Sequence, residues 1–353
     1  MTVHTNPTEH LLDVAKWAFT TRRVERSDAV SLSKDFNAAS AGDLVLCQIL
    51  QVGQHKNIQL ANRRNSVSYP GDLVVLCVGD RYAPDQFLSS ARIEGDVVSL
   101  VAGGGVVGAV EAAHQRMSKP TSLLPIGLLV NAEGTVMNVN DYAMDVLPPN
   151  YDATVIGVFG ASMNSGKTTA AVSLAHGLRR AGHQVAGIKT TGTGAFGDFN
   201  AFEDAGVPVS DFTDAGMATT FKMPLERIER GFETLVANAA AKGADMIVVE
   251  IADGVFQRET KSILKKSRIR DRLDGILFAA PDALGAFGGV TVLESYGLSP
   301  FAISGMVSCS PLGSAEAAEV TGLPVLSKEQ LWDRSVVSEL VAPHIRQPVR
   351  ASA

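Results

Sequence analysis

The stretch TVIGVFGASMNSGKTT, residues 154–169, decides the fold. An apolar, β-branched run from Thr154 to Phe159 enters a loop of small residues, Gly160 to Ser165. It leaves through Gly166-Lys167-Thr168-Thr169 into a helix-like sequence, Ala170 to Arg180. That is the layout of a phosphate-binding P-loop. A strand delivers the loop at its carboxyl end, the loop amides surround an anion, and the following helix adds the positive end of its dipole. The expected nucleotide-binding residues are therefore Ala161, Ser162, Met163, Asn164, Ser165, Gly166, Lys167, Thr168 and Thr169. Lys167 is expected to contact the outer phosphates and the Thr168 hydroxyl to ligate Mg²⁺. Ala161 stands at the usual first glycine, which the relaxed form of the motif allows, and Gly160 sits just before it. A GKT tripeptide alone arises by chance. The strand before it and the helix after it make this one a nucleotide site.

With 353 residues the chain has room for two domains with their own cores. Charged residues make up 19% and hydrophobic residues 46%, and no apolar run approaches the roughly 20 residues of a membrane span. The formal charge is −6, with 31 basic against 37 acidic residues and no basic block. A nucleic-acid surface is not expected, nor a membrane one. The first ten residues, MTVHTNPTEH, lack the regions of a secretory signal. Cys47, Cys77 and Cys309 are odd in number and widely spaced, which fits a reducing cytoplasm better than a disulfide framework. Cys47 and Cys77 lie in apolar runs and read as small buried hydrophobes rather than metal ligands.

Upstream of the P-loop the patterning is β-rich. After a helix expected around His10 to Phe19, two near copies appear, Gly42-Asp43-Leu44-Val45-Leu46-Cys47 and Gly71-Asp72-Leu73-Val74-Val75-Leu76-Cys77. Each is a Gly-Asp turn opening an apolar strand. They read as two strands of one sheet rather than a duplicated module. Further strands are expected at Asn57 to Ala61, Ser66 to Tyr69 and Asp96 to Val101, giving a small barrel or sandwich over about residues 40–110. The stretch Gly79 to Phe87 reads either as a binding loop or as a solvated turn. The run Gly103 to Gly108 lacks the spacing of a dinucleotide motif and reads as a connection or a close-packing point. Leu123 to Val139 adds a strand or two. Pro148-Pro149 cannot extend a sheet ladder, so the boundary is expected near residue 150, with a β-rich domain over 1–150 and a P-loop domain over 151–353.

The second half alternates strand and helix as a doubly wound, mostly parallel α/β sheet does. Strands are expected at Val155 to Phe159, Gln184 to Lys189, Met246 to Glu250, Gly275 to Ala280, Phe301 to Val307 and Pro324 to Leu326. Helices are expected at Thr168 to Ala181, Leu225 to Lys242, Thr260 to Leu273, Gly288 to Tyr296 and Ser314 to Thr321. Right-handed crossovers bring the carboxyl ends of the first three strands to one rim. Met246-Ile247-Val248-Val249-Glu250 is Walker-B-like, four apolar residues ending in a carboxylate. Glu250 with Thr168 is therefore the expected Mg²⁺ pair, and Asp253 follows in the turn. Lys189 leaves its strand among threonines and glycines, a position suited to an anionic substrate or a γ-phosphate. Asp198, Asp204, Asp211 and Asp214 offer further carboxylates, most of them expected to be solvated caps or turns, and the sequence does not choose among them.

Residues 154–310 resemble the P-loop (SIMIBI) class that includes dethiobiotin synthetase and the MobB-type protein of molybdopterin guanine dinucleotide synthesis. The motifs that carry the likeness are GASMNSGKTT, GHQVAGIKTTGTG with its strand ending in lysine, and VVEIADG, similar to the Val-Val-Glu-Gly-Ala-Gly-Gly of dethiobiotin synthetase. The resemblance implies ATP with Mg²⁺, or GTP as in the MobB case. It implies Lys167 and Lys189 as the catalytic lysines at phosphates or substrate, and Thr168 with Glu250 on the metal. It also implies a base near Ala280-Pro281-Asp282 and Ser308-Cys309-Ser310-Pro311, and a homodimer paired across the nucleotide face. Thr190 stands where the MobB type has a histidine, and VVEIADG lacks glycine flanking the acid.

Two functions follow as expectations. One is a cytoplasmic, Mg²⁺-dependent enzyme that uses ATP to activate or phosphorylate a small, anionic carboxylate or amine metabolite, as a ligase or a kinase. The other is a nucleotide-hydrolysing chaperone or carrier in cofactor maturation, switched through the acidic stretch Asp198 to Asp214.

Overall fold

The computed structural model describes residues 7–149 and 151–346. By compactness the chain divides into two units. One takes the described residues up to Met144 together with two short stretches from the P-loop half, Thr193–Phe196 and Phe212–Lys222. The other takes Asp145–Gly192, Gly197–Asp211 and the described residues from Met223 onward.

The first unit opens with α1 (Pro7–Val14), β1 (Lys16–Trp17) and β2 (Ser31–Ser33), and continues with β3 (Leu44–Gln51), β4 (Asn57–Gln59), β5 (Asn65–Val67) and β6 (Leu73–Val78). Then follow β7 (Arg81–Tyr82), β8 (Phe87–Ser90), β9 (Val98–Ala102), β10 (Val106–Ala113) and β11 (Thr121–Val130). Five strands close on themselves. β6 pairs with β3, β3 with β11, β11 with β9 and β9 with β10, all antiparallel. β10 then returns to β6 in parallel through Val106–Cys77 and Val107–Val78. The near-copied motifs are thus β3 and β6, neighbours in one barrel. Alternation sorts their side chains. Val45, Cys47, Ile49, Val74, Leu76 and Val78 share one buried cluster, while Leu44, Leu46, Val75 and Cys77 pack in another with Leu12 and Trp17. Both faces of each strand are covered, which explains their unbroken apolar runs. Cys47 and Cys77 are buried small hydrophobes, and burial pushes the Cys77 thiol up to about 12.

Several expectations need correction. The helix placed at His10 to Phe19 ends at Val14, because Lys16 and Trp17 add to the edge of β6. Barrel strands run on to Val130, past residue 110, and β11 carries Pro125 where the register shifts between Pro125 and Gly127. A bulge is where a strand tolerates the missing amide of proline. The Gly79 to Phe87 stretch is not a solvated turn, since Arg81 is buried and donates to the Val101 carbonyl and to Gln86 Oε1. The glycine run is a close-packing point. A β-carbon at Gly104 would stand 1.9 Å from the carbonyl oxygen of Gly194.

The second unit contains β12 (Thr154–Gly160), α2 (Lys167–Arg180), β13 (Val185–Lys189), α3 (Phe196–Asp204), β14 (Val209–Asp211), α4 (Leu225–Ala241) and β15 (Met246–Glu250). It continues with α5 (Arg258–Lys265), α6 (Arg268–Arg272), β16 (Gly275–Ala279), α7 (Ala283–Ser295), β17 (Ala302–Ser304), α8 (Pro311–Thr321), α9 (Lys328–Trp332) and α10 (Arg334–Val341). Its sheet has the order β14-β13-β15-β12-β16-β17, and every pairing is parallel. From β12 the chain winds outward to β13 and β14, returns to β15, and crosses to β16 and β17, so the α/β fold is doubly wound. Leu174 and Leu178 of α2 pack with Ile156, Val158 and Val248 of the sheet and with Leu331, Val337 and Val341 of α9 and α10.

Here too the boundaries shift. The expected helix Thr260 to Leu273 is broken, and Ser267 caps its second piece by accepting from the Arg270 amide. The strand expected at Phe301 to Val307 stops at Ser304, where Gly305 at φ 94° starts a 3₁₀ turn. Pro324 to Leu326 makes only a bridge, Ile303 to Val325.

Leu76→Ala in the barrel interior is expected to cost about 2–5 kcal/mol. Urea unfolding followed by circular dichroism should show this as a lower midpoint with an unchanged slope, and an unmoved midpoint would remove Leu76 from the core.

Candidate nucleotide and metal site

Parallel register aligns the site. Val158 of β12 lies opposite Glu250 of β15, Glu250 opposite Lys189 of β13, and Lys189 opposite Asp211 of β14. The carboxylate and the lysine therefore stand at one level on the rim where the P-loop leaves β12. The loop itself turns through two left-handed residues, Asn164 at φ 63° and Gly166 at φ 93°. Glycine adopts that backbone without a β-carbon penalty and asparagine with little. Gly166 is also the N-cap of α2, so no side chain caps the first turn, and that turn holds no acid. Such a helix start favours an anion. Ala161, Met163, Gly166 and Thr168 are half-buried, Ser162, Asn164 and Thr169 are exposed, and Ser165 and Lys167 are buried.

Lys167 Nζ donates to the Ser162 carbonyl at 2.9 Å, so its ammonium lies across its own loop. Burial lowers its pKa, opposed by the charges of Glu250 and Asp253 and reinforced by Lys189. The Thr168 hydroxyl stands 3.0 Å from Asp198 Oδ1 and 3.2 Å from Glu250 Oε1. It has one proton to give, so one carboxylate contact always lacks a hydrogen bond. Lys189 Nζ pairs with Asp198 Oδ2 and lies 3.6 Å from Glu250 Oε1. Glu250 is 2% exposed, and its second oxygen, Oε2, is buried with no hydrogen-bond partner among the described residues. Among the described residues of the second unit, three buried side-chain polar atoms lack such a partner: Ser165 Oγ, Thr190 Oγ1 and Glu250 Oε2. All three belong to the P-loop or to the ends of β13 and β15. An unpaired buried carboxylate oxygen costs about 1–3 kcal/mol or more, and a hard cation would remove that cost. A hydroxyl and two carboxylates, one of them carrying this orphan oxygen, fit Mg²⁺.

Asp198 is the residue that sequence reasoning left unchosen. It lies in the first turn of α3, a helix absent from the expected elements, and the signal was there in Phe196, Phe199 and Phe202 at helical spacing. Phe202 is fully buried. The other acids go elsewhere. Asp204 is exposed, and Asp211 is buried at the β14 end. Asp214 is buried in an ion pair with Arg22 at 2.7 Å. Asp211 and Asp214 are therefore not solvated caps. Asp253 bears on Lys167 through its charge. The chain after β15 is pinned where Thr191 Oγ1 and Thr260 Oγ1 both donate to the Ala252 carbonyl, at 2.6 and 2.9 Å.

Beside the start of α2 lies a cleft of about 290 Å³ lined by Gly166, Thr169, Met306, Cys309, Lys328 and Glu329, among others. Ser308 and Cys309 of the expected base loop line it. Asp282 instead caps α7, accepting from the Gly285 amide at 2.7 Å.

The strand, loop and helix at 154–180, with an acid strand directly beside them, make this half a P-loop fold of the nucleotide-binding kind. No protein-family model matches the sequence, and no curated protein matches it. Among solved structures, the chain is similar to the signal recognition particle 54 kDa protein of Aeropyrum pernix K1 in complex with GDP. The identity is 22% and the TM-score 0.38, over 56% of this chain and 47% of that one, so the match spans about half of that protein. It is also similar to the signal recognition particle receptor FtsY of Elizabethkingia anophelis. With GDP that structure gives 16% identity and a TM-score of 0.37, over 59% of this chain and 68% of the other. Without GDP the values are 18% and 0.37 over the same shares. Among the described residues, no helix is long and apolar enough to cross a membrane.

Asp198→Asn and Glu250→Gln are each expected to weaken Mn²⁺ binding in the presence of nucleotide at least about tenfold, the loss of one charge-assisted contact or more. Asp204→Asn should change nothing. Electron paramagnetic resonance of free Mn²⁺ reads all three, and equal affinity in Asp198→Asn would take that residue out of the site.

Proposed function

We propose that this protein is a Mg²⁺-dependent phosphoryl-transfer enzyme of the SIMIBI class, using ATP to activate or phosphorylate a small anionic carboxylate or amine. The observation that carries this reading is the rim cluster of Thr168, Lys189, Asp198 and Glu250 beside the P-loop, with Glu250 Oε2 unpartnered. Two lysines and two carboxylates are more than phosphate binding alone requires, and they suit a site where a second, charged reactant meets the terminal phosphate.

In this reading Lys167, now on the Ser162 carbonyl, turns to the β- and γ-phosphates, and the first-turn amides of α2 take the oxygens that no side chain caps. Thr168, Asp198 and Glu250 hold Mg²⁺, which when bound offsets the charge of the phosphate oxygens. Lys189 orients the anionic co-substrate. A carboxylate oxygen, or an amine nitrogen that gives up a proton to water, attacks the γ-phosphorus while the bond to the β–γ bridging oxygen breaks, leaving the nucleoside diphosphate and an acyl phosphate or phosphoramidate. The base lies in the cleft of Met306, Cys309 and Lys328. Three cysteines outside any disulfide support a reducing, cytoplasmic setting.

Lys167→Ala is expected to abolish turnover of ATP with Mg²⁺ while the far-ultraviolet circular dichroism stays as in wild type. ATP and GTP should be compared in the same assay, with a panel of small carboxylates and amines screened for stimulation. Phosphorylated or condensed product supports the enzyme. Stimulation only by a protein partner, without modified small molecule, would replace it with a hydrolysing carrier.

A further inference from the structure

We infer that Lys189 is the resident counter-ion of the metal site. Its ammonium stands among Thr168, Asp198 and Glu250, where a divalent ion binds, and is released to an anionic oxygen when the ion takes that place. This rests on the reading of the rim cluster as a metal site and adds an order of events to it.

Lys189 Nζ contacts Asp198 Oδ2 and lies 3.6 Å from Glu250 Oε1, and both carboxylates converge on the same Thr168 hydroxyl at 3.0 and 3.2 Å. The lysine thus shares its carboxylates with the group that would bind the metal. Lys189 and Glu250 side chains are 14% and 2% exposed, so water screens this pair weakly. Two carboxylates with one ammonium keep one net negative charge. Adding a divalent ion to all three makes the cluster net positive, and the two cations compete for the same oxygens. A lysine yields readily, because its ammonium rides on a flexible four-carbon stem and makes no bidentate contact.

The two lysines at the site also differ in what holds them. Lys167 is turned onto a neutral carbonyl, Ser162, and a phosphate replaces that contact without disturbing a carboxylate. Lys189 is held by charge and leaves only when another cation compensates for it. The released ammonium then needs an anion, either the terminal phosphate or a carboxylate of the co-substrate. Binding is accordingly ordered, with metal and nucleotide before the anionic partner, and the lysine cannot draw in that partner while the metal is missing.

The test uses the full chain and Mn²⁺ as the probe, titrated without nucleotide. Lys189→Met is expected to bind Mn²⁺ about tenfold more tightly than wild type, the effect of one nearby positive charge removed, and Lys189→Arg, which keeps the charge and can hold a carboxylate bidentately, to bind no more tightly than wild type. Unchanged or weaker binding in Lys189→Met would overturn the inference. Because that variant removes a buried ion pair, a second measurement is made on the wild type, the acylation rate of each lysine amine read by mass spectrometry. Saturating Mn²⁺ should raise the rate at Lys189 several-fold while exposed Lys242, outside the site, serves as reference. No rise overturns the proposal. Adding a non-hydrolysable triphosphate then separates the two anions. Renewed protection assigns the released lysine to the terminal phosphate, and sustained reactivity assigns it to a co-substrate carboxylate. Failure of the wild type to bind Mn²⁺ with triphosphate would sink the metal-site reading itself. Binding with no response at Lys189 would sink only the counter-ion.

Discussion

The register of three parallel strands governs this site. β12, β15 and β13 are aligned so that the P-loop begins just beyond Val158, Glu250 faces Val158, and Lys189 faces Glu250. Side chains alternate along a strand, so a one-residue slip of β15 would turn Glu250 to the other face of the sheet and bring Val249 to the rim. The buried apolar runs on all three strands resist that slip, since a slip would misplace every core side chain at once. The geometry of a few polar atoms is thus fixed by a large apolar area, which is how a sheet holds charges at ångström spacing without a covalent tie.

Burial at this rim has opposing consequences. It lowers the pKa of Lys167 and leaves Glu250 Oε2 unpaired, both costs to the folded protein. The same burial makes each charge act strongly on its neighbours, because little water intervenes. A surface cluster of two lysines and two carboxylates would be worth little. Here Lys189, Asp198 and Glu250 meet where Glu250 is almost wholly enclosed. Orphan atoms in the second unit fall at this rim rather than through its core, and such a concentration is what a site built to receive charged groups requires.

Much of this was legible in the sequence, for identifiable reasons. The P-loop, β13, β15 and β16 were readable because each is a contiguous apolar run closed by Gly, a charge or, for β16, Pro281, and contiguous signals survive without tertiary context. The barrel's β3 and β6 were readable by their Gly-Asp turns. Closure of the barrel was not, because it depends on the parallel return of β10 to β6 across 28 residues, from Val78 to Val106. Asp198 was one of several acids in a glycine-spaced stretch, and the Phe196, Phe199 and Phe202 spacing that marks α3 as a helix does not rank the acids along it. Asp211 and Asp214 looked solvent-facing because their burial comes from tertiary packing, in the case of Asp214 against Arg22, a residue 192 positions away in sequence. α9 and α10 were missed because each is shorter than the windows in which periodicity shows.

Chain connectivity gives Asp198 a further constraint. Its helix begins at Phe196, and β14 ends at Asp211. The stretches on either side, Thr193–Phe196 and Phe212–Lys222, are packed into the barrel unit. There Gly194 leaves no room for a β-carbon on Gly104, Phe19 meets the Phe196 ring edge-on, and Arg22 holds Asp214. Thr168 and Glu250, by contrast, leave and return to the second unit's own sheet. The rim oxygens therefore come from two kinds of support, a strand end and a helix start for Glu250 and Thr168, and the first turn of a short helix for Asp198.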